Sequence, residues 1–203
     1  MITIAQARAC YEAARDSAHD FDHVLRVLAM AERIARAEGA DLEIVRAAAL
    51  LHDVGRAQEA RAGGDHAAIG AQRAREILDG CPPDRVQAVA EAILTHRFRV
   101  ERPPRTLEAR VLYDADKLDA IGAIGIARAY AVAGREASPL WGEVPEHYQG
   151  DSPLHTPRHE FAFKLVHIQS KMQTDTGRQI AQERHRYMVA FFRRLEQEVC
   201  GQR

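Results

Sequence analysis

AALLHDVGR, residues 48–56, closes an apolar stretch with a histidine and an aspartate side by side and a glycine two residues later. Asp41 is a good N-cap, and Leu42, Val45, Ala49 and Leu50 recur at helical spacing until Gly55. The stretch therefore reads as a helix whose final turn carries His52 and Asp53. Its neighbours read alike. Val24, Val27, Leu28, Ala31 and Ile34 repeat every three or four residues before the stop at Gly39, and a helix over Ala67–Leu78 is closed by Gly80. Pro82 and Pro83 start another, with a buried stripe of Val86, Val89, Ala90, Ile93 and Leu94. Thr3 to Gln6 forms a capping box opening a first helix to about Arg15. After Pro103-Pro104, Thr106 caps a long helix running through Leu112 and Leu118 to Gly134.

Residues 135–159 are rich in Pro, Gly and His and read as a long loop of the kind that forms lids or site walls. Two last helices are expected over 160–172 and 177–199, the second with a stripe of Ile180, Tyr187, Met188, Phe191 and Leu195. Alanine is abundant, β-branched runs are scarce, and no segment alternates as a strand would. The expected fold is all-α: one domain over 1–203, with a helical core at about 18–134, the loop 135–159 and C-terminal helices at 160–200.

A composition of 46% hydrophobic and 28% charged residues is that of a folded soluble protein, and a net charge of -1 argues against sequence-independent binding to nucleic acid. Trp141 stands among loop residues rather than in a basic aromatic stretch, so no nucleic-acid partner is expected. A local basic pocket for a small phosphorylated molecule stays open. The apolar run Ala47–Leu51 is far too short to span a bilayer, and the N-terminus lacks the pattern of a secretory signal. Cys10, Cys81 and Cys200 are odd in number and scattered, which fits a reducing compartment and a cytoplasmic location.

The chemistry-bearing residues fall near helix ends. His23 is in the first turn of one helix, His52 and Asp53 close the next, His66 opens one and His96 ends another, while Asp114, Asp116 and Asp119 cluster in the long helix. Adjacent residues on a helix point about 100° apart, so a His-Asp pair meets one ion only where the helix frays or ends. Imidazole nitrogens with carboxylate oxygens suit Mn, Fe, Co, Ni or Zn, whereas a site for Mg alone would use oxygen ligands. Singly, each of these residues is ordinary, and the dipeptide His19-Asp20 shows how readily a lone His-Asp arises.

The ordered set is not ordinary. DFDHVLRV (20–27), AALLHDVGR (48–56), DHAAIGA (65–71), ILTHRF (93–98) and LYDADKLDAIGAIG (112–125) together resemble the HD-domain superfamily, with its pattern His … His-Asp … Asp on a helical bundle. The resemblance runs from about Ala18 to Arg128 and is nearest to small, stand-alone bacterial members, where KMQTDTGRQIAQER (171–184) also fits. It implies a metal-dependent phosphohydrolase in which His23, His52, Asp53 and a later aspartate bind one divalent ion. Asp116 is the choice, because ADKL stands where relatives read ADRL. Projection around the stripe of Val111, Leu112, Ala115 and Leu118 does not settle it, and Asp119 is the alternative.

A divalent ion, manganese first and Fe, Co, Ni or Zn otherwise, would acidify a bound water and offset phosphoryl charge. Asp53 could bind the ion with one oxygen and take a proton with the other. Arg26, Arg56, Arg97 and Lys117 each sit within a turn of a proposed ligand and are candidate phosphate clamps. His66 and His96 are expected to line the pocket in catalysis, or else to hold a second ion. The resemblance suggests a nucleotide substrate, for instance a (deoxy)nucleoside triphosphate split into monophosphate and pyrophosphate by a monomer or homodimer. The alternatives are a di-iron oxygenase and a non-catalytic nucleotide sensor; the complete ligand set speaks against the sensor.

Overall fold

The computed structural model describes residues 1–11, 21–97, 102–150 and 155–203. The continuation of the first helix to Arg15, His19-Asp20, Phe98 and loop positions 151–154 lie outside the described residues. Among the described residues there are helices, turns and loops and no strand, so the fold is all-α. No helix among them is long and apolar enough to cross a membrane. The chain divides into two compact units, residues 1–116 with 173–177, and residues 117–172 with 178–203.

In the first unit, α1 (Ile4–Ala9) opens with the expected capping box: the Gln6 N–H donates to Thr3 Oγ1 at 3.2 Å and the Thr3 N–H to Gln6 Oε1 at 2.9 Å. Next come α2 (Phe21–Glu38) and α3 (Leu42–Leu51), where Asp41 accepts from the N–H groups of Glu43 and Ile44. Ala47 to Leu51 are all buried, because α3 packs against α2 on one side and α6 (Pro83–Thr95) on the other. A helix wrapped on several sides shows an unbroken apolar run rather than a stripe. Between them lie α4 (Arg56–Ala62) and α5 (His66–Ile77), the latter packed on both α4 and α6. No helix is expected from the sequence at α4, which buries no residue, so no periodicity announces it.

The expected long helix over 106–134 is two helices, α7 (Leu107–Leu118) and α8 (Gly122–Arg135). The break is made by Gly122, whose φ of +78° favours glycine and follows the extended Ile121. An added Cβ there would also meet the Arg184 side chain at 2.9 Å. The apolar pattern continues across the break, so hydrophobicity alone reads through it.

Asp114 in α7 fastens residues 173–177 to the first unit. Its carboxylate accepts the Gln173 and Thr174 N–H groups, each at 2.8 Å, and the Thr174 hydroxyl at 2.7 Å. The Thr176 N–H donates to Glu38 Oε1 of α2 at 2.6 Å. Asp114→Ala removes a buried charged acceptor from three donors and is expected to cost about 3 kcal/mol. Urea unfolding checks this, and an unchanged midpoint would contradict it.

In the second unit the helix expected over 160–172 is instead α9 (Pro157–Phe163) followed by two single-turn 3-10 helices, Leu165–His167 and Gln169–Lys171. Thr156 caps α9 with Pro157 in its first turn, and buried Leu165 and Ile168 lie three apart, the repeat of a 3-10 turn. Residues 178–199 of α10 (Asp175–Val199) bury Ile180, Ala181, Met188 and Phe192, and Phe192 stacks on Phe161 with ring centroids 4.5 Å apart. Tyr187, expected in the buried stripe, is 53% exposed; it is one position, about 100°, off the face that Met188 buries.

Candidate metal centre

Each candidate ligand sits near the end of a helix of the first unit. His23 is the third residue of α2, His52 is the C-cap of α3 with Asp53 next, and His66 is the first residue of α5 behind its N-cap Asp65. His96 is the C-cap of α6, and Asp116 lies in the last turn of α7. The four histidines and Asp53 are buried, and Asp116 is largely so.

Backbone and side-chain partners orient the rings. His52 Nδ1 lies 2.8 Å from the Ala49 carbonyl oxygen and His96 Nδ1 lies 2.5 Å from that of Ile93, so in each ring Nδ1 carries the proton and Nε2 keeps its lone pair. His66 Nδ1 is 2.9 Å from Glu59 Oε2, and the same carboxylate accepts the His66 backbone N–H at 3.2 Å. Carboxylate support of this kind fixes both the tautomer and the orientation of a ligating histidine.

Asp53 is at the centre. Its Oδ2 is 3.5 Å from His52 Nε2 and 3.7 Å from His23 Nε2, while its Oδ1 is 3.8 Å from Nε2 of both His66 and His96. The His23 and His52 Nε2 atoms are 3.3 Å apart, and Asp116 Oδ1 is 3.4 Å from His23 Nε2. Two ligand groups with mutual separations within 4.8 Å result, His23–His52–Asp53 and Asp53–His66–His96. Both Asp53 oxygens are buried without accepting a hydrogen bond; Arg56 Nε is 2.5 Å from Oδ2 but is not aligned to donate. Arg56 offsets part of the charge at Oδ2, but Oδ1 faces imidazole nitrogens, and converging imidazole lone pairs cannot satisfy a buried carboxylate oxygen without a further cation. The residues therefore fit a divalent ion bound through nitrogen and oxygen.

Of the expected phosphate clamps, Arg56 lies against Asp53, and Arg97 is drawn to Glu59 at 3.2 Å and Asp65 at 2.9 Å, one step removed from His66. Arg26 is half-buried on α2, one turn past His23, and Lys117 is the first residue of the second unit. Asp119 also belongs to that unit, where its Oδ2 pairs with Arg128 at 2.9 Å. Glu59 is not among the site residues expected from the sequence. It lies on α4, where only an i, i+7 spacing links it to His66 and no motif marks it.

Burial lowers the His52 pKa from 6.5 to about 4, against the pull of Asp53 and Asp116. Burial alone would raise the Asp53 carboxyl, but His52, Arg56, His96 and His23 hold it well below the usual carboxylate range. At neutral pH the centre thus offers a neutral imidazole beside an ionised carboxylate. Between about pH 6.5 and 4 the unfolded chain protonates His52 and the folded metal-free chain does not. Stability is then present above this window and lost as pH falls through it, by on the order of 3 kcal/mol from this residue. Thermal unfolding of the metal-free protein at pH 7, 6 and 5 checks the sign, and a midpoint that rises on acidification would contradict it.

Residues 20–121 match the family model of the HD domain. YpgQ of Bacillus subtilis (strain 168) is 34% identical over 191 residues, covering 91% of this chain and 86% of that protein. The crystal structure of Bacillus subtilis YpgQ in complex with ADP superposes with a TM-score of 0.76 at 32% identity, covering 97% of this chain and 98% of that one. A predicted HD superfamily hydrolase from an uncultured Thermotogales bacterium gives a TM-score of 0.70 at 32% identity over 96% of this chain and 90% of that one. Ribonuclease Y of Chloroflexus aurantiacus is 36% identical over 96 residues, 47% of this chain and only 17% of that enzyme.

Proposed function

Because the chain belongs to the HD-domain family and is thereby a metal-dependent hydrolase, we propose that it acts on nucleotides, splitting a (deoxy)nucleoside triphosphate into the monophosphate and pyrophosphate. The observation that carries this reading is Asp53, buried between two pairs of histidines with both oxygens unmet. The ADP complex of YpgQ supports a nucleotide as the ligand.

When bound, a divalent ion held by His23, His52, Asp53 and Asp116, manganese in our reading, would acidify a water and offset phosphoryl charge. The chain's own groups do the rest. Asp53 turns Oδ2 toward His23 and His52, and its Oδ1 is placed to take a proton from the attacking water. His66 and His96 face that oxygen through the lone pair of Nε2 and are positioned to accept the proton Asp53 takes from the water and pass it to the leaving oxygen. Glu59 keeps His66 in the orientation this requires. Arg26, Arg56, Arg97 and Lys117 are the candidate cations for the remaining phosphates. We read the chain as a single HD-type domain in the cytoplasm, a monomer or homodimer acting on a small molecule rather than on nucleic acid. The similarity to ribonuclease Y spans less than half of the chain.

The group Asp53, His66 and His96 favours one alternative, a second ion, which as a pair of irons would make the protein an oxygenase. Two irons per chain with oxygen uptake would select it. The deciding experiment incubates the purified protein with nucleotides and phosphate monoesters in the presence of Mn, Mg, Co or Ni. Equimolar nucleoside monophosphate and pyrophosphate, with Mn the most effective, is the expected outcome. Bound metal without turnover on any of these substrates would overturn the proposal.

A further inference from the structure

The loop of chain that presents His52 and Asp53 has no helix to hold it, since α3 ends at Leu51. Its fastening comes from a residue with no place in the metal-ligand pattern. The Tyr11 hydroxyl donates to the Leu50 carbonyl at 3.0 Å. That carbonyl is one of the last four of α3, which have no partner within the helix, and the nearby Val54 N–H is taken by Leu51 at 3.2 Å instead. Arg73 of α5 adds a second tie, donating to the Val54 carbonyl at 2.7 Å and reaching that of Cys10 at 3.5 Å. The Tyr11 ring stands edge-on to Phe21, with centroids 5.3 Å apart, and Phe21 is the first residue of α2, two before His23.

We propose that Tyr11 is a positioning residue for the metal centre, its hydroxyl fixing the His52-Asp53 turn while its ring registers that turn against the start of α2. The proposal rests on the metal-centre reading above. One side chain then touches both elements that deliver His23, His52 and Asp53, so their separations depend on it. A partner of a ligand-bearing turn is expected to matter at about the 10–100-fold level in metal affinity.

The test uses Tyr11→Phe, which keeps the ring against Phe21 and removes only the hydroxyl. Metal-free protein is titrated with Mn²⁺ by calorimetry, and exchange of the Asp53 amide hydrogen is followed alongside. Tyr11→Phe is expected to weaken Mn²⁺ binding at least ~10-fold and to speed Asp53 exchange. Asp41→Ala, which loses the N-cap at the opposite end of α3, is expected to bind within about twofold of wild type even if its melting temperature falls as far. Unchanged affinity in Tyr11→Phe, or an equal loss in Asp41→Ala, would overturn the role of Tyr11 and leave the metal centre standing. A wild-type protein that binds no Mn²⁺ would overturn the metal centre itself, and the role of Tyr11 with it. Should Tyr11→Phe not fold, Arg73→Met carries the same expectation of a ~10-fold loss, and unchanged affinity there overturns the proposal.

Discussion

Replacing Asp53 by Asn is expected to strip the protein of bound metal and to lower turnover by at least ~100-fold, more than the loss of a residue that only supports a ligand. The side chain keeps its size and one oxygen, but it loses the charge that faces four imidazoles and the second acceptor that would take the proton. The fold should survive. Arg56, the cation against Asp53, has a side chain 35% exposed and can turn toward water when its partner is neutralised. Elemental analysis and a pyrophosphate-release assay on Asp53→Asn check both halves. Retention of metal and of turnover would show that Asp53 is not the centre of the site.

Gly55→Ala is the second substitution from which a large effect is expected. Gly55 has an ordinary negative φ, so its value lies in the space it leaves rather than in its conformation. A Cβ there would stand 2.4 Å from the His66 carbonyl oxygen and 2.8 Å from the Gly70 nitrogen, both backbone atoms that no rotamer change can move. The turn after Asp53 and the start of α5 would have to part by roughly 1 Å to restore van der Waals contact. Overpacking of this kind costs about 3 kcal/mol. Because Asp53 and His66 ride on the two parts being separated, a shift of that size should also lower turnover ~100-fold. Gly134→Ala, in the last turn of α8 where a Cβ meets nothing within 4 Å, should leave turnover unchanged and should not lower stability. Equal behaviour of the two variants in urea unfolding and in the assay would refute the packing argument.

The contrast at Gly55 indicates how far the amino-acid sequence carries by itself. The pattern carries the third helix on to Gly55, whereas α3 ends at Leu51 and Gly55 is the N-cap of α4; the reason that position must be glycine lies in α5, eleven residues on at His66, and only folding brings the two together. The helices α2, α3, α5 and α6 are legible because each buries a face or, for α3, nearly its whole surface. α4 is not, because it buries nothing, and the break before Gly122 is not, because a backbone dihedral leaves no trace in an apolar pattern. The histidines and Asp53 stand out in the sequence by their positions at helix ends. Glu59 and Tyr11 act through partners seven and about forty residues away, and neither belongs to a spacing that periodicity could reveal.

The central claim is that side chains from separate helices meet around one cation, with Asp53 as the hub. Pulsed electron paramagnetic resonance of Mn²⁺ bound to the purified protein tests it most directly, since imidazole nitrogens couple to the ion only when they ligate it. The account predicts at least one tightly bound ion per chain with nitrogen couplings that are reduced in both His23→Ala and His52→Ala. An ion ligated by oxygen alone, or couplings indifferent to both substitutions, would contradict it.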